Sequence, residues 1–299
     1  MKIGVIGLGS MGYGIATSLL RSGHNVYGAD INPEAVERLR AEGGSDVDVM
    51  SAAPELNAAV IVVLNAAQTE TVLFGEHGLV PQLAPGAVVI MCVTVAPDYA
   101  RSTAEQCAAR GVHFLDAPIS GGSVKAAEGK LSVMASGRPE AFAAARPVLD
   151  AMAETVFELG DGAGAGSAMK AVNQMLAGIH IAAMAEAITF AMTQGIDPGT
   201  FLKVIPACAG TSWMLENRAP HVVAGDYTPR SAIDIWPKDL GIVLDVARTS
   251  RFAAPLTAAA LQQFICAAGM GLGREDDAAV AKVYAHNASL TLPCTSQNE

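Results

Sequence analysis

The sequence predicts an α/β domain followed by an all-helical domain, the two joined by one long helix. Three observations carry this. Up to about residue 160, short β-branched apolar runs alternate with helical patterns. From Gly160 the chain turns glycine-rich, and after Gly166 it shows no glycine until Gly178 and no proline until Pro198. Beyond that stretch, every periodic segment reads as helix. The expected domains are therefore residues 1–161 and 162–293, with 294–299 as a polar tail.

The totals suit such a chain. It has 299 residues, 51% hydrophobic and 16% charged, enough for two ordinary domains with a large buried fraction. The net charge is −10, with no basic run, which argues against a nucleic-acid partner. Five scattered cysteines, none in a CxxC spacing, read as thiols in a reducing compartment and not as a metal site. No charged-then-apolar leader precedes the first strand, and no uninterrupted apolar run has membrane-spanning length. A cytoplasmic protein with no membrane partner is expected.

Lys2-Ile3-Gly4-Val5-Ile6 is a buried strand ending in Gly7-Leu8-Gly9-Ser10-Met11-Gly12, with a helical pattern over residues 11–22. A second strand over 25–29 ends in Asp30. Strand, GxGxxG, helix, strand and acid together predict a Rossmann dinucleotide site. Gly7 permits the tight turn, Gly9 lets backbone approach a pyrophosphate, and Gly12 lets helix and strand pack closely. The N–H groups at the helix start, around Ser10 and Met11, face the phosphates. Asp30 is placed to bind a ribose diol and to repel a 2′-phosphate, so NAD is favoured over NADP.

Asn32 and Pro33 open a helix over 33–41. Residues 60–64 read as a buried parallel strand closed by Asn65; Leu64 and Asn65 thus fall at the carboxyl edge, where ligands bind in such sheets. The next strand spans 87–92, and the chain then crosses the same edge through Thr94, equally a hydroxyl contact to cofactor or an ordinary cap for a helix over 97–110. After a strand over 112–116 comes Ala117-Pro118-Ile119-Ser120-Gly121-Gly122. Ser120, Gly121 and Gly122 present consecutive backbone N–H groups, either an anion-binding nest or a plain connection to a short helix over 124–128. Strands over 131–136 and 155–159 flank a helix over 139–152.

In the long central helix, Lys170 stands among Ala165, Ala168, Met169, Ala171 and Val172, with no acid within a turn. A solvated lysine is the ordinary reading. The apolar turn, the glycine-rich start and Asn173 on the same face make it a candidate catalytic amine facing an interdomain cleft. Helices follow over 198–208, from 213, over 231–247, 255–270 and 276–284, with 220–230 irregular. Lys238-Asp239 in the third of these reads equally as an exposed pair.

These stations, Gly7 to Gly12, Asp116 to Gly122, the run leading to Lys170 and Asn173, and Lys238-Asp239-Leu240, resemble in order and spacing the β-hydroxyacid dehydrogenases, such as 3-hydroxyisobutyrate dehydrogenase and tartronate semialdehyde reductase. The resemblance covers nearly the whole chain. It implies an NAD-dependent oxidoreductase, a homodimer or homotetramer, acting on a small hydroxy acid. It implies that Lys170 is catalytic, that Asn173, Ser120, Gly121 and Gly122 hold the substrate, and that Thr94 and Lys238 line the nicotinamide end. As base, Lys170 would need a pKa below the free value of about 10.4; burial and a positive nicotinamide lower it, a substrate carboxylate raises it.

The C-terminal segments 209–218, 225–231 and 274–280 resemble the branch of that family that oxidises L-threonate. 3-Hydroxyisobutyrate and tartronate semialdehyde are the alternative substrates; Thr211, Ser212 and Asn217 favour a polyol acid over a branched aliphatic one. Trp236-Pro237 departs from the Phe-Val expected before Lys238, and predicts either a helix starting near Ile235 or a kinked one. A non-catalytic NAD-binding scaffold is the alternative of another class, disfavoured by the presence of Lys170, Asn173 and Ser120 together.

Overall fold

Five parallel strands, β1 (Lys2–Ile6), β2 (Asn25–Ala29), β3 (Ala58–Ile61), β4 (Val88–Met91) and β5 (His113–Asp116), pair in the order β2-β1-β3-β4-β5. This is the first unit of a computed structural model that describes residues 1–294 and divides into two compact units between Lys170 and Ala171. The period-2 pattern sorts the strand residues onto two cores. Ile3, Val5, Val60, Val88, Ile90 and Leu115 face one. Ile6, Ile61, Val89, Met91 and Phe114 face the other. Both faces are buried, as the near-continuous apolar runs require. The strand order reverses direction between β1 and β3, and in such sheets ligands bind at that point, beyond the carboxyl ends.

The helices of this unit are α1 (Ser10–Arg21), α2 (Pro33–Ala41), α3 (Val49–Ala52), α4 (Ala66–Phe74), α5 (Pro97–Ala108), α6 (Gly122–Glu128) and α7 (Pro139–Met152). A three-stranded sheet completes it: β6 (Ile119–Ser120) runs antiparallel to β7 (Leu131–Ala135), and β7 parallel to β8 (Ala153–Glu158). Two expectations need correction here. The strand expected at 60–64 is β3, two to three residues earlier; Val62 to Leu64 leave the ladder and form the loop that passes Gly7, so Leu64 is 53% exposed. The connection at 119–120 is itself a strand, because its backbone pairs with Val133 and Ser132.

The central helix, α8, runs from Ala165 to Thr193, 29 residues. By length and apolar composition it would pass for a membrane span, with a mean hydropathy of 1.6 over its most apolar window. Its Ile181, Met184, Ala185 and Ile188 instead sit in the core of the second unit, beside Trp236, Leu240 and Phe264. That unit contains α9 (Pro198–Val204), α10 (Trp213–Ala224), α11 (Ile235–Thr249), α12 (Pro255–Gly269) and α13 (Ala281–Asn287), and no strand among the described residues.

Four boundaries differ from expectation. The helix expected over 276–284 begins as a 3-10 turn, Asp277–Val280, and continues as α13 only from Ala281. The helix expected over 198–208 gives way to a 3-10 turn, Ile205–Ala207, because Pro206 has no N–H to continue it. The stretch expected to be irregular from 220 is partly helix: α10 continues through Pro220 to Ala224 and stops at Gly225, whose φ is +63°. The helix expected over 231–247 starts at Ile235, so Pro237 lies in its first turn, where the missing N–H would have had no helical partner. The polar tail from residue 295 lies outside the described residues.

Candidate active site

The glycine loop connects β1 to α1. Gly7 has φ +94°, and a Cβ there would come within 2.5 Å of the Val62 carbonyl oxygen. A Cβ on Gly12 would collide with the carbonyl oxygen of Gly7. At Gly9 a Cβ would meet no protein atom within 4 Å. The protein therefore does not need glycine at that position for its own packing; the bare backbone leaves room for something else. The start of α1 fits the same reading. Its N-cap, Gly9, supplies no side-chain cap and its first turn holds no acid, so the N–H groups around Ser10 and Met11 face outward without a carboxylate to compete with phosphate.

Asp30 follows β2. One carboxylate oxygen accepts from Leu8 N at 2.5 Å and the other from Asn32 N at 2.8 Å. The acid is thus locked onto the glycine loop, with lone pairs to spare for sugar hydroxyls. Asn65 caps α4 through Gln68 N at 2.9 Å, and Leu64 N donates to Gln68 Oε1 at 2.8 Å. Thr94, after β4, is half-buried and does not cap α5, whose N-cap is Ala96.

Ser120 ends β6. Gly121 and Gly122 then take φ values of +136° and +80°, conformations that side chains rarely adopt. This aims the backbone of 120–122 away from the ordinary ladder. Lys170 belongs to the same unit. It is only 9% exposed, and its Nζ donates to the Ile119 carbonyl at 2.8 Å, one residue before Ser120. The structure therefore brings Lys170 and the Ser120 to Gly122 segment together, which sequence spacing alone does not do.

The start of α8 is held by an unexpected group. Asp116, wholly buried at the end of β5, accepts from Gly164 N and Ser167 N at 2.9 Å each, from Ser167 Oγ at 2.7 Å and from Ser136 Oγ at 3.3 Å. Ser136 Oγ accepts in turn from Gly166 N at 2.9 Å. Burial pushes the Asp116 carboxyl above its ordinary range; the donors from Ser167, Gly164 and Ser136 pull the other way. Burial likewise pushes the nearby Cys92 thiol up to about 12, with the Asp116 charge adding to it, so this cysteine is an inert core residue.

In the second unit, Asn173 Nδ2 donates to Gln174 Oε1 at 2.9 Å, and Gln174 Nε2 donates to Asp239 Oδ2 at 2.5 Å. Lys238 Nζ lies 2.7 Å from Asp239 Oδ1. Lys238-Asp239 is thus no exposed surface pair: the carboxylate is buried and tied to Gln174. The polar residues read as favouring a polyol have local partners. Ser212 caps α10 through Leu215 N at 3.1 Å, Thr211 donates to Glu216 at 2.8 Å, and Asn217 accepts from Arg218. Asp116, Gln174 and Asp239 carried no sequence signal of their role, since the bonds from Asp116 to Gly164 and Ser167 and from Gln174 to Asp239 span 48 to 65 residues. No group of three metal-ligating side chains occurs among the described residues.

Residues 2–160 match the family described as the NAD binding domain of 6-phosphogluconate dehydrogenase, and residues 164–284 the one described as NAD-binding of NADP-dependent 3-hydroxyisobutyrate dehydrogenase. The chain belongs to the 3-hydroxyisobutyrate dehydrogenase-like family of β-hydroxyacid dehydrogenases. Among family relatives, an L-threonate dehydrogenase of Cupriavidus necator is 50% identical over 95% of this chain and 96% of its own. A 3-hydroxyisobutyrate dehydrogenase of Pseudomonas aeruginosa is 36% identical over 94% and 98%. A crystal structure described as 3-hydroxyisobutyrate dehydrogenase from Salmonella typhimurium superposes with a TM-score of 0.90, at 47% identity, covering 95% of this chain and 99% of its own. The family is one of NAD-binding oxidoreductases acting on CH–OH groups, and the glycine loop and Asp30 fit that dinucleotide.

Proposed function

We propose that the chain oxidises L-threonate at C2 to the corresponding 2-oxo acid, with NAD in preference to NADP. The observation that carries this is the placement of the Lys170 amine at the Ile119 carbonyl beside Ser120, Gly121 and Gly122. It gains weight from relatives called L-threonate dehydrogenase at 45% to 50% identity. A bound dinucleotide would supply the hydride acceptor for the carbinol carbon. The protein's part is to hold the acid and take the proton. Lys170 Nζ takes the hydroxyl proton as general base and returns it in the reverse direction. Ser120 and the N–H groups of Gly121 and Gly122 fix the substrate carboxylate. Asn173, one turn beyond Lys170, orients the hydroxyl.

Gly7, Gly9, Gly12 and the N–H groups of Ser10 and Met11 hold the pyrophosphate, and Asp30 the adenosine ribose. Leu64, Asn65, Thr94 and Lys238 line the remainder of the dinucleotide. Homo-oligomer formation through the second unit fits the exposed apolar stripe Val172, Leu176 and Phe190, which recurs on one face of α8 over about five turns. A cytoplasmic location belongs to the same reading.

A second substrate, 3-hydroxyisobutyrate, is favoured by the description of the Salmonella structure. The deciding experiment is NADH formation at 340 nm over a panel of L-threonate, D-threonate, D-erythronate, D-glycerate and 3-hydroxyisobutyrate, each with NAD and NADP. Turnover confined to L-threonate with NAD is expected. Preference for 3-hydroxyisobutyrate would overturn the substrate and leave the base assignment standing. NAD binding without turnover on any acid would favour a scaffold.

A further inference from the structure

A helix of 29 residues beginning at Ala165 needs partners for its first free N–H groups, and these usually come from the N-cap side chain. Gly164 has none to offer. Three of the N–H groups at this end are satisfied from a distance instead: Gly164 N and Ser167 N by Asp116, and Gly166 N by Ser136. Ser167 adds its hydroxyl to the second Asp116 oxygen. The strand end is also joined to Ser136 through backbone, Asp116 N to Ser136 O at 3.0 Å and Ser136 N to Asp116 O at 2.8 Å. Every side-chain partner of Asp116 donates to it, so the site is built for the carboxylate; a protonated acid would point its O–H at donors. A negative charge at a helix N-terminus is also favoured by the helix dipole.

Asp116 sits three residues before Ile119, the acceptor for Lys170, and four before Ser120. Ser167 sits three residues, under one turn, before Lys170. The same short strand segment therefore grips α8 twice, once by its capping carboxylate and once through the lysine. Close packing leaves no slack: a Cβ on Gly166 would collide with the carbonyl oxygens of Met134 and Asp116.

We propose that Asp116, with Ser136 and Ser167, is the positioning group for Lys170. As a long-range N-cap it sets the register of α8 against β5 and β6, and so fixes the Lys170 amine beside the Ser120 to Gly122 nest. This rests on the reading of Lys170 as base, and the test separates the two.

Asp116→Asn replaces one acceptor oxygen with an NH2 aimed at donors; Ser167→Ala removes one bond; Ser167→Thr keeps the hydroxyl. Two readouts apply. The first is the acetylation rate of Lys170 by an N-hydroxysuccinimide ester in the protein without substrate, followed by mass spectrometry with exposed Lys130 as internal control. The second is kcat per NAD-binding site with L-threonate. Asp116→Asn and Ser167→Ala are expected to raise Lys170 acetylation at least 10-fold relative to Lys130 and to lower kcat at least 10-fold, with the dissociation constant for NADH within 3-fold of wild type. Ser167→Thr should restore both. The double variant Asp116→Asn/Lys170→Ala should be no slower than Lys170→Ala alone, because one group acts through the other.

Unchanged acetylation and kcat in folded Ser167→Ala, or losses that multiply in the double variant, would overturn the proposal. Loss of thermal stability with unmoved kcat would reduce the cluster to a structural role and overturn it equally. Should Asp116→Asn not fold, the two Ser167 variants decide alone. Full turnover by Lys170→Ala would overturn the base assignment itself, a result read independently of the acetylation pattern.

Discussion

Lys170 is buried, held to a backbone carbonyl and placed beside a glycine-rich nest. Removing a general base costs about 10²–10⁴-fold in rate. Lys170→Ala is therefore expected to lose kcat by that order while NADH still binds, which fluorescence titration of the reduced cofactor checks. The proposed cofactor site gives Asp30 a second job, since its carboxylate already receives Leu8 N and would also hold the ribose. Asp30→Ala should accordingly weaken NAD binding and also reduce discrimination against NADP, by roughly 10-fold or more, because the charge that repels a 2′-phosphate is gone. The ratio of kcat/KM for the two cofactors measures it. Unchanged discrimination would assign cofactor choice to another residue.

At the scale of elements, two residues that look similar in sequence behave oppositely. Pro237 reads in sequence as a helix start or a kink; it occupies the first turn of α11, where its missing N–H has no helical partner. Pro237→Val should alter stability by less than about 1 kcal/mol, since no intrahelical bond is gained. Gly166 closes the glycine-rich run that begins at Gly160. It lies where α8 meets the ends of β5 and β7, and a methyl group there meets backbone, which cannot swing aside. Gly166→Ala should cost about 1–3 kcal/mol by overpacking. Thermal melts of the two variants decide between these expectations, and equal melting temperatures would contradict the packing argument.

At the scale of the molecule, each unit carries its own buried polar cluster. In the second, Asp276 accepts from His221 at 2.7 Å, from Arg230 N at 3.0 Å and from Ala278 N at 3.2 Å. Asp277 beside it accepts from Arg218 and, at 3.0 Å, from Trp236 Nε1. Burial opposes ionisation of Asp276, but His221 and the two backbone donors together hold its carboxyl below the ordinary 3.8. A carboxyl lowered on folding contributes stability above its unfolded pKa and loses it as pH falls through the folded value. The stability gap between wild type and Asp276→Asn should therefore be full near about pH 6 and close progressively below about pH 4. Urea unfolding at a series of pH values tests this; a gap independent of pH would remove the carboxylate charge from the account.

Much of this was legible in the chain itself, for a common reason. The Gly7 to Gly12 loop, the acid at Asp30, the cap at Asn32 and the buried apolar runs of the strands all depend on residues within a turn or a strand of one another, so periodicity and spacing report them. The run of α10 through Pro220 was not legible, because α10 buries Leu215, Ala219 and Val222 in the unit's core, which outweighs the lost backbone bond. Nor was the role of Asp116, nor the Asn173–Gln174–Asp239–Lys238 chain. The deciding links, Asp116 to the start of α8 and Gln174 to Asp239, join residues far apart in sequence, and a polar residue gives no local sign of which distant donor it will meet when buried. The sequence by itself determined the fold class and the dinucleotide loop and singled out Lys170 as the candidate amine; the tertiary structure alone decided what that amine bonds to and what caps its helix, because long-range hydrogen bonds exist only after the strands and the helix have packed.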